Sequence, residues 1–316
     1  MSLVAVTDSV FPNLDPARKV LAEIGAELQL AKEPTEAAIL DVAREADALL
    51  ATFAPVTAAI IRQMNRCRII SRFGIGVDNV DVAAATTAGI VVTRVPDYCL
   101  DEVSDHTLAL LLALVRKIPS SNAATRAGRW DAKAVVPIHR LRGTVLGLVA
   151  FGQIAQLVAP KAQAFGIRVV TYDPYVSKEI TARAGVQEVD FDELLKISDY
   201  ISIHTPLVAA THHLFNAEAF RRMKPSAYLI NTARGPIVDE AALAGALDQK
   251  HLAGAALDVT EHEPPPSSSP LFGRDNVIIT PHTGYYSEES VVDVQTKAAE
   301  EVVRVLSGRP PRNPVN

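Results

Sequence analysis

The first hundred residues alternate between short apolar runs and longer segments whose apolar positions recur with a helical period. Short apolar runs between polar residues are typical of buried strands, and this alternation predicts a parallel sheet covered by helices. The predicted strands are Leu3 to Thr7, Glu27 to Leu30, Ala48 to Thr52, Arg68 to Arg72 and Val91 to Thr93. The predicted helices are Pro16 to Gly25, Thr35 to Glu45 and Ala58 to Met64.

A second alternating series begins at Gly143. Its predicted strands are Val145 to Val149, Arg168 to Tyr172, Val186 to Val189, Tyr200 to Ile203, Ala227 to Ile230, Ala253 to Leu257 and Val277 to Ile279. A long helix, Asp101 to Arg116 with Asp101 as its cap, precedes the series, and an amphipathic helix, Glu288 to Leu306, follows it. The two series predict an α/β protein made of two doubly wound parallel-sheet domains.

Residues 119–142 interrupt this pattern because their internal periodicity is weak. Two interpretations remain open for this segment, which contains Trp130. It is either a surface connection or an arm that packs on another subunit.

Composition narrows the class of protein. The 316 residues suit two domains, and the 48% hydrophobic content with 5% aromatics predicts cores of small aliphatic side chains. A net charge of -5 argues against a nucleic-acid backbone as partner, and the absence of long basic runs argues against an anionic membrane surface.

The cellular compartment is also constrained. Cys67 and Cys99, the only cysteines, lie in no metal-like or redox-like spacing, which favours a reducing compartment and excludes a disulfide framework. The first residues are typical of a strand and not of an export signal, and the longest apolar run, Leu108 to Val115, is too short to span a membrane. We therefore expect a cytoplasmic protein. No His, Cys or carboxylate cluster has metal-ligand spacing, so no metal is expected.

The turn after the Val145 strand is a candidate nucleotide site. It holds Gly152 and leads into a helical stretch, so backbone amides at the helix start point at a pyrophosphate. Ala150 and Ala155 replace the first and third glycines of GxGxxG, and an ordinary strand–helix turn is the alternative. Asp173, 21 residues after Gly152, favours NAD over NADP because a carboxylate accepts ribose hydroxyls and repels a 2′-phosphate. The alternative for Asp173 is a solvated turn residue.

Candidate catalytic residues lie in three stretches that each follow a predicted strand. These stretches are Asn231-Thr232-Ala233-Arg234-Gly235, Asp258-Val259-Thr260-Glu261-His262-Glu263-Pro264 and Thr280-Pro281-His282-Thr283-Gly284. Carboxyl ends of parallel strands share one edge, so Arg234, Glu263 and His282 are predicted to meet. A guanidinium for a carboxylate, an imidazole as acid and a carboxylate to stabilise the imidazolium would suit reduction of a 2-keto acid.

The order of these motifs resembles that of the D-isomer-specific 2-hydroxyacid dehydrogenase family from about Ser71 to Gly308. The resemblance rests on the turn around Gly152, on the three stretches above and on Arg72-Phe73-Gly74-Ile75-Gly76-Val77-Asp78-Asn79-Val80-Asp81. The run Pro281-His282-Thr283-Gly284-Tyr285-Tyr286-Ser287-Glu288 is most similar to the branch of C-terminal-binding proteins and phosphoglycerate dehydrogenases.

The resemblance implies a domain plan and a set of roles. Residues 1–99 and 287–316 would form a flavodoxin-like substrate domain, and residues 100–286 an inserted Rossmann NAD domain with a dimerisation arm near 119–142. The implied catalytic residues are Arg234, Glu263 and His282, and a homodimer is implied. The implied NAD-binding residues are Thr107, Phe151, Gly152, Gln153, Ile154, Asp173, Thr205, Pro206, Thr211, Thr232, Ala233, Arg234, Asp258 and His282, with Asp258 at the carboxamide of the nicotinamide. The implied substrate-binding residues are Arg72, Ile75, Gly76, Arg234 and Tyr285.

The predicted function is an NAD-dependent D-2-hydroxyacid dehydrogenase, or 2-keto acid reductase. Its substrate stays open between phosphoglycerate, glyoxylate or hydroxypyruvate, and a bulkier keto acid. The loop at residues 51–55 lacks the arginine of phosphoglycerate enzymes, and the chain ends before their regulatory domain. Phe53, Tyr98 and Tyr285 favour an apolar side chain. The alternative function is an NAD(H)-sensing binding protein similar to the C-terminal-binding proteins.

Overall fold

The structure, a computed structural model, describes residues 2–316 apart from the side chain of residue 134. The chain divides into two compact units. The first unit is Met1–Cys99 with Tyr286–Asn316, and the second unit is Leu100–Tyr285.

The first unit is a parallel sheet with helices packed on it. Within the described residues its strands are β1 (Leu3–Val6), β2 (Glu27–Leu30), β3 (Ala48–Ala51), β4 (Ile69–Arg72) and β5 (Val91–Thr93), in the order β2-β1-β3-β4-β5. Its helices are α1 (Asp15–Leu21) with a 3-10 turn at Ala22–Ile24, α2 (Glu36–Ala43), α3 (Ala58–Ile61), α4 (Val82–Thr87) and the C-terminal helix Glu288–Leu306.

The C-terminal helix belongs to this unit because its apolar face is buried there. Val294 and Ala298 are fully buried, and Ser71 of β4 donates its hydroxyl to the Ala298 carbonyl at 3.0 Å. Ser287 and Ser290 form a capping box that begins the helix. Residues more than two hundred positions apart therefore build one core.

The second unit is a larger parallel sheet. Within the described residues its strands are β6 (Val145–Val149), β7 (Arg168–Tyr172), β8 (Gln187–Glu188), β9 (Tyr200–Ile203), β10 (Tyr228–Asn231), β11 (Gly254–Leu257) and β12 (Val277–Ile279), in the order β12-β11-β10-β9-β6-β7-β8. Its helices are α5 (Leu100–Val115), α6 (Ile118–Arg126), α7 (Gln153–Ala164), α8 (Lys178–Arg183), α9 (Phe191–Ile197), α10 (Ala217–Arg222) and α11 (Glu240–Asp248), with 3-10 turns at Ala132–Val135 and Gly235–Ile237.

The order of strands in the second unit reverses at β6, which pairs with β7 on one side and β9 on the other. In open α/β sheets ligands bind outside the carboxyl ends of the strands at such a switch point. The turn that carries Gly152 follows β6, so the candidate nucleotide turn lies where this rule places a ligand.

The predicted fold class is confirmed, since both sheets are parallel and carry helices. The prediction differs from the structure at helix ends and in one connection. Helix α5 begins at Leu100, so Asp101 lies in its first turn and is not its cap. Residues 119–142 contain most of α6 and a 3-10 turn, which the sequence hid because α6 buries only Ala124 and so shows a weak apolar period.

Candidate active site

The three polar stretches follow three strands that are neighbours in the sheet of the second unit. Arg234 follows β10, Glu263 follows β11 and His282 follows β12, and each pair of neighbouring strands is parallel. The three loops therefore begin at the same edge of the sheet, as the sequence predicted for Arg234, Glu263 and His282.

Glu263 and His282 are in direct contact. Glu263 Oε2 lies 2.7 Å from His282 Nδ1, and Glu263 Oε1 accepts the Thr260 amide at 3.1 Å. The carboxylate is thus fixed at one oxygen by its own loop and holds the imidazole with the other. A contact between a carboxylate and Nδ1 orients the imidazole ring.

The backbone of His282 adopts a left-handed conformation with a φ of 50°. This conformation is costly for a residue with a Cβ and needs support from its surroundings. The His282 amide donates to the carbonyls of Asp258 at 2.8 Å and Thr280 at 3.0 Å. The loop that carries the imidazole is therefore held by backbone hydrogen bonds on both sides.

Asp258 organises this loop with its side chain as well. Its Oδ1 accepts the Thr283 amide at 2.9 Å and its Oδ2 accepts the Gly284 amide at 2.8 Å. The Thr280 hydroxyl donates to Oδ1 at 2.6 Å, and His106 Nε2 lies 3.3 Å from the same oxygen. Asp258 is only 3% exposed. Because it follows β11 and accepts hydrogen bonds from Thr280, Thr283 and Gly284, its carboxylate links β11 to the loop after β12.

The charge of Asp258 is stabilised where it is buried. Burial alone would raise the pKa of this carboxyl, but the hydrogen bonds from His106, Thr280 and the loop amides outweigh burial and hold the pKa below its ordinary value. From the sequence, His106 was given no role, and Thr280 was named only as the first residue of the third candidate stretch. The one available signal was the position of His106 next to Thr107 in α5.

Arg234 lies at the start of the 3-10 turn after β10, and its Nη1 donates to the Ala233 carbonyl at 2.7 Å. The neighbouring Gly235 is buried against the backbone of Thr260, and a Cβ at this position would overlap the Thr260 carbonyl. Only glycine therefore lets the loop that carries Arg234 touch the loop that carries Glu263.

The turn after β6 has the features of a phosphate-binding turn. Gly152 caps helix α7 without a side-chain hydrogen bond, and a Cβ at Gly152 would meet no atom within 4 Å. The first amides of a 12-residue helix, including those of Gln153 and Ile154, thus begin at an open position suited to an anion. Ala150 has a φ of 73°, the conformation for which glycine is favoured.

Asp173 follows β7 and accepts three backbone amides. Phe151 donates to Oδ2 at 2.8 Å, and Tyr175 and Val176 donate to Oδ1 at 2.8 and 3.2 Å. Two carboxylate oxygens offer about four acceptor sites, so capacity is left for a ribose hydroxyl. The contact to Phe151 fixes Asp173 beside the turn that carries Gly152.

Other predicted cofactor residues lie at the same edge of this sheet. Thr107 and Thr232 contact each other through their hydroxyls at 2.9 Å. Thr205 and Pro206 follow β9, and Thr211 donates to the Pro206 carbonyl at 2.7 Å. These contacts organise the loops, and the predicted roles of these residues toward NAD stay predictions.

The histidines outside the pair have other surroundings. Burial lowers the pKa of His204 to about 4, and its Nε2 lies 2.9 Å from the Ser202 hydroxyl, so it is neutral at neutral pH. His213 pairs with Glu261 at 2.5 Å and its ring stacks on His212. Neither arrangement delivers a proton donor to the contact between Glu263 and His282.

The predicted substrate residues are divided between the units. Arg72, Ile75 and Gly76 lie at the end of β4 and in the segment after it, in the first unit. Tyr285 is the last residue of the second unit, and its ring meets the His282 ring edge-on with centroids 6.1 Å apart.

Among residues 2–316 no group of three His, Cys, Asp or Glu side chains is arranged as metal ligands. In the same range, every helix is too short or too polar to cross a bilayer.

Comparison with known proteins gives a family match. Residues 108–284 match the model described as "D-isomer specific 2-hydroxyacid dehydrogenase, NAD binding domain". The prediction of an NAD-binding domain is thereby confirmed.

Three relatives illustrate the range of similarity. A D-3-phosphoglycerate dehydrogenase from Methanocaldococcus jannaschii is 40% identical over all of this chain and 60% of its own length. A glyoxylate reductase from Korarchaeum cryptofilum is 36% identical over 92% of this chain and 90% of its own length. A D-lactate dehydrogenase from Aquifex aeolicus, crystallised with NAD and lactic acid, is 27% identical with a TM-score of 0.87, covering 97% of this chain and 96% of that one. The chain thus spans less than two thirds of the length of the phosphoglycerate dehydrogenase it matches.

Proposed function

Because the chain belongs to the D-isomer-specific 2-hydroxyacid dehydrogenase family, we propose that it is an NAD-dependent dehydrogenase of D-2-hydroxy acids, or reductase of 2-keto acids. The observation that supports this function most directly is the contact between Glu263 and His282 at 2.7 Å. A carboxylate that orients an imidazole is the arrangement expected of a general acid and base.

Each of the three catalytic side chains has a separate task in this proposal. His282 gives a proton to the ketone oxygen, or takes one from the hydroxyl in the reverse direction. Glu263 stabilises the imidazolium, and Arg234 binds the carboxylate and polarises the carbonyl as negative charge develops. When bound, NAD supplies or accepts the hydride at C2 of the substrate.

The residues after β6 and β7 suit NAD. The open position at Gly152 and the uncapped start of α7 would receive the pyrophosphate, while Asp173 would accept ribose hydroxyls and disfavour a 2′-phosphate. We propose the same loops, with Thr107, Thr205 and the other predicted residues, as the NAD site.

The first unit is proposed as the substrate domain, with Arg72, Ile75 and Gly76 contacting the substrate. A cytoplasmic homodimer is proposed as well, assembled through the second unit. Trp130 supports this assembly, since it is 90% exposed in the segment predicted as an arm and an apolar ring of that size suits an interface. Sedimentation of a Trp130→Asp variant as a monomer would support the dimer.

The function is tested by replacing His282 with asparagine, because asparagine tolerates the left-handed backbone. Loss of the acid and base should lower kcat by about 1,000-fold while the affinity for NADH changes little. Turnover is followed by NADH absorbance with a panel of 2-keto acids, and His251→Asn is the matched control. Unchanged turnover in the His282 variant contradicts the proposal. Binding of NADH without turnover of any acid by the wild type favours an NAD(H)-sensing protein instead.

A further inference from the structure

We infer that the substrate is a 2-keto acid with an uncharged, apolar side chain, and that it is not a phosphorylated acid. This inference rests on the proposed function, which assigns the first unit to the substrate. It is carried by the charges and the aromatic rings at the carboxyl ends of β1, β3 and β4, the three middle strands of that unit.

The segments after these strands carry more negative than positive charge, even with the guanidinium of Arg72 lying over the Phe53 ring. Residues 7–14, 52–57 and 73–80 contain two carboxylates, Asp8 and Asp78, and no lysine, arginine or histidine. Asp8 is fixed among these segments because it accepts the amides of Phe53 and Ala54 at 3.1 Å. Guanidinium and ammonium groups give the strongest contacts to a phosphate dianion, and carboxylates repel it.

Arg72, at the end of β4, is held by its own loop. It is 8% exposed, and its Nη1 donates to the Phe73 carbonyl at 2.8 Å. Its guanidinium occupies the space in which a Cβ of Gly74 would lie. Moving Arg72 to meet a phosphate would require breaking these contacts, which hold its guanidinium against its own loop.

Aromatic rings lie at this end of the sheet. The guanidinium of Arg72 lies over the Phe53 ring at 5.6 Å, and Phe11 packs edge-on against Phe73 at 5.4 Å. Phe11 and Phe53 are both half-buried. Apolar surface of this kind gains from burial against an aliphatic or aromatic group and gains nothing from a phosphate.

In the second unit, an aromatic ring also lies beside the histidine that we propose to be catalytic. The ring of Tyr285 stands edge-on to the His282 ring, and Tyr285 is half-buried. A neutral aromatic side chain therefore lies next to the group that we propose to protonate the ketone.

The test is a comparison of kcat/KM for four acids with NADH: 4-methyl-2-oxopentanoate, phenylpyruvate, glyoxylate and 3-phosphonooxypyruvate. We expect the better of the two apolar acids to exceed each of the other two by about 100-fold, the size of discrimination that apolar pockets reach. A preference for 3-phosphonooxypyruvate or for glyoxylate overturns the inference and leaves the proposed function intact. Turnover of none of a broad panel of acids, with NADH bound, overturns both.

A second test introduces a positive charge into the segment after β3. Phe53→Arg should raise kcat/KM for 3-phosphonooxypyruvate by about tenfold through KM, and lower it for the apolar acids. Phe272→Arg makes the same change at an exposed phenylalanine of the second unit and should change neither value. Phe53→Leu keeps the site apolar, so it should keep the preference for apolar acids. If a folded Phe53→Arg variant leaves the ratio of kcat/KM for 3-phosphonooxypyruvate to kcat/KM for the better apolar acid unchanged, the inference is wrong.

Discussion

Two aspartates at the same edge of the second unit's sheet differ in burial, and this difference gives them different tasks. Asp258 follows β11 and Asp173 follows β7, and both accept backbone amides. Asp258 is 3% exposed and its oxygens receive donors from the loop after β12 and from His106, whereas Asp173 is half-buried and keeps acceptor capacity. The buried carboxylate holds β11 and the loop after β12 together, and the accessible one is the one that we propose to bind a ligand.

Of the two aspartates, Asp258 is expected to show the larger effect. Asn in its place would turn an NH2 group toward the amides of Thr283 or Gly284, so Asp258→Asn should lower the free energy of unfolding by about 3 kcal/mol. Displacement of His282 by this change should also lower kcat by about 100-fold. Urea unfolding and steady-state kinetics measure the two effects. Asp248→Asn, at an exposed aspartate paired with Arg274, is the control, with less than about 1 kcal/mol expected.

A pH titration distinguishes the buried histidine after β9 from the buried aspartate after β11. The pKa of His204, after β9, falls from 6.5 to about 4 on folding. Between these values the unfolded chain binds a proton that the folded chain does not, so stability should fall by up to about 3 kcal/mol as pH drops from about 6.5 to 4. The lowered pKa of Asp258 keeps its contribution until the pH falls below the ordinary aspartate value of 3.8.

Urea unfolding between pH 7.5 and 4.5 checks this effect of pH. A His204→Gln variant should show a flatter dependence over that range, because glutamine does not titrate. Equal slopes for the variant and the wild type would contradict the role of His204.

Asp173 should affect binding more than stability. Removing its carboxylate in Asp173→Ala should weaken the binding of NADH by about tenfold, since a hydrogen bond to a charged acceptor is lost. Binding of NADPH should weaken less, because the repulsion of its 2′-phosphate disappears too. Fluorescence titration with both nucleotides gives the ratio, and an unchanged ratio would argue for a turn aspartate with no role in the choice of cofactor.

The smallest effect concerns the two alanines of the glycine fingerprint. Ala150 is left-handed, which costs about 1–2 kcal/mol, so Ala150→Gly should stabilise the protein by roughly 0.5–1 kcal/mol after the greater freedom of unfolded glycine is counted. Ala155 is buried in helix α7, so Ala155→Gly should destabilise by about 1 kcal/mol. Thermal unfolding of the two variants should therefore shift in opposite directions.

The sequence was sufficient for the fold class and for the edge of the sheet that carries Arg234, Glu263 and His282. Periodicity identifies strands, and parallel strands have one carboxyl edge, so that prediction required no contacts. The hydrogen bonds that His106 and Thr280 make around Asp258 could not be predicted from the sequence. His106 comes from a helix more than a hundred residues earlier, and no local pattern links it to Thr280. Asp258 was predicted to face the nicotinamide, and that role stays a prediction beside the structural one described above.

Helix α6 escaped prediction for a different reason. Apolar periodicity reports burial, and a helix that leaves most of its surface exposed has little of it. The domain plan inferred from the resemblance stays a prediction. The roles assigned to residues such as Thr205 also stay predictions, since they concern contacts with a ligand.

Gly235 has a consequence for anyone who redesigns this protein. Since the backbones after β10 and β11 touch where a methyl group has no room, any side chain at this position would push the loop that carries Arg234 away from the backbone of Thr260. Combinatorial libraries aimed at new substrates should therefore keep residue 235 constant and diversify the aromatic positions of the first unit.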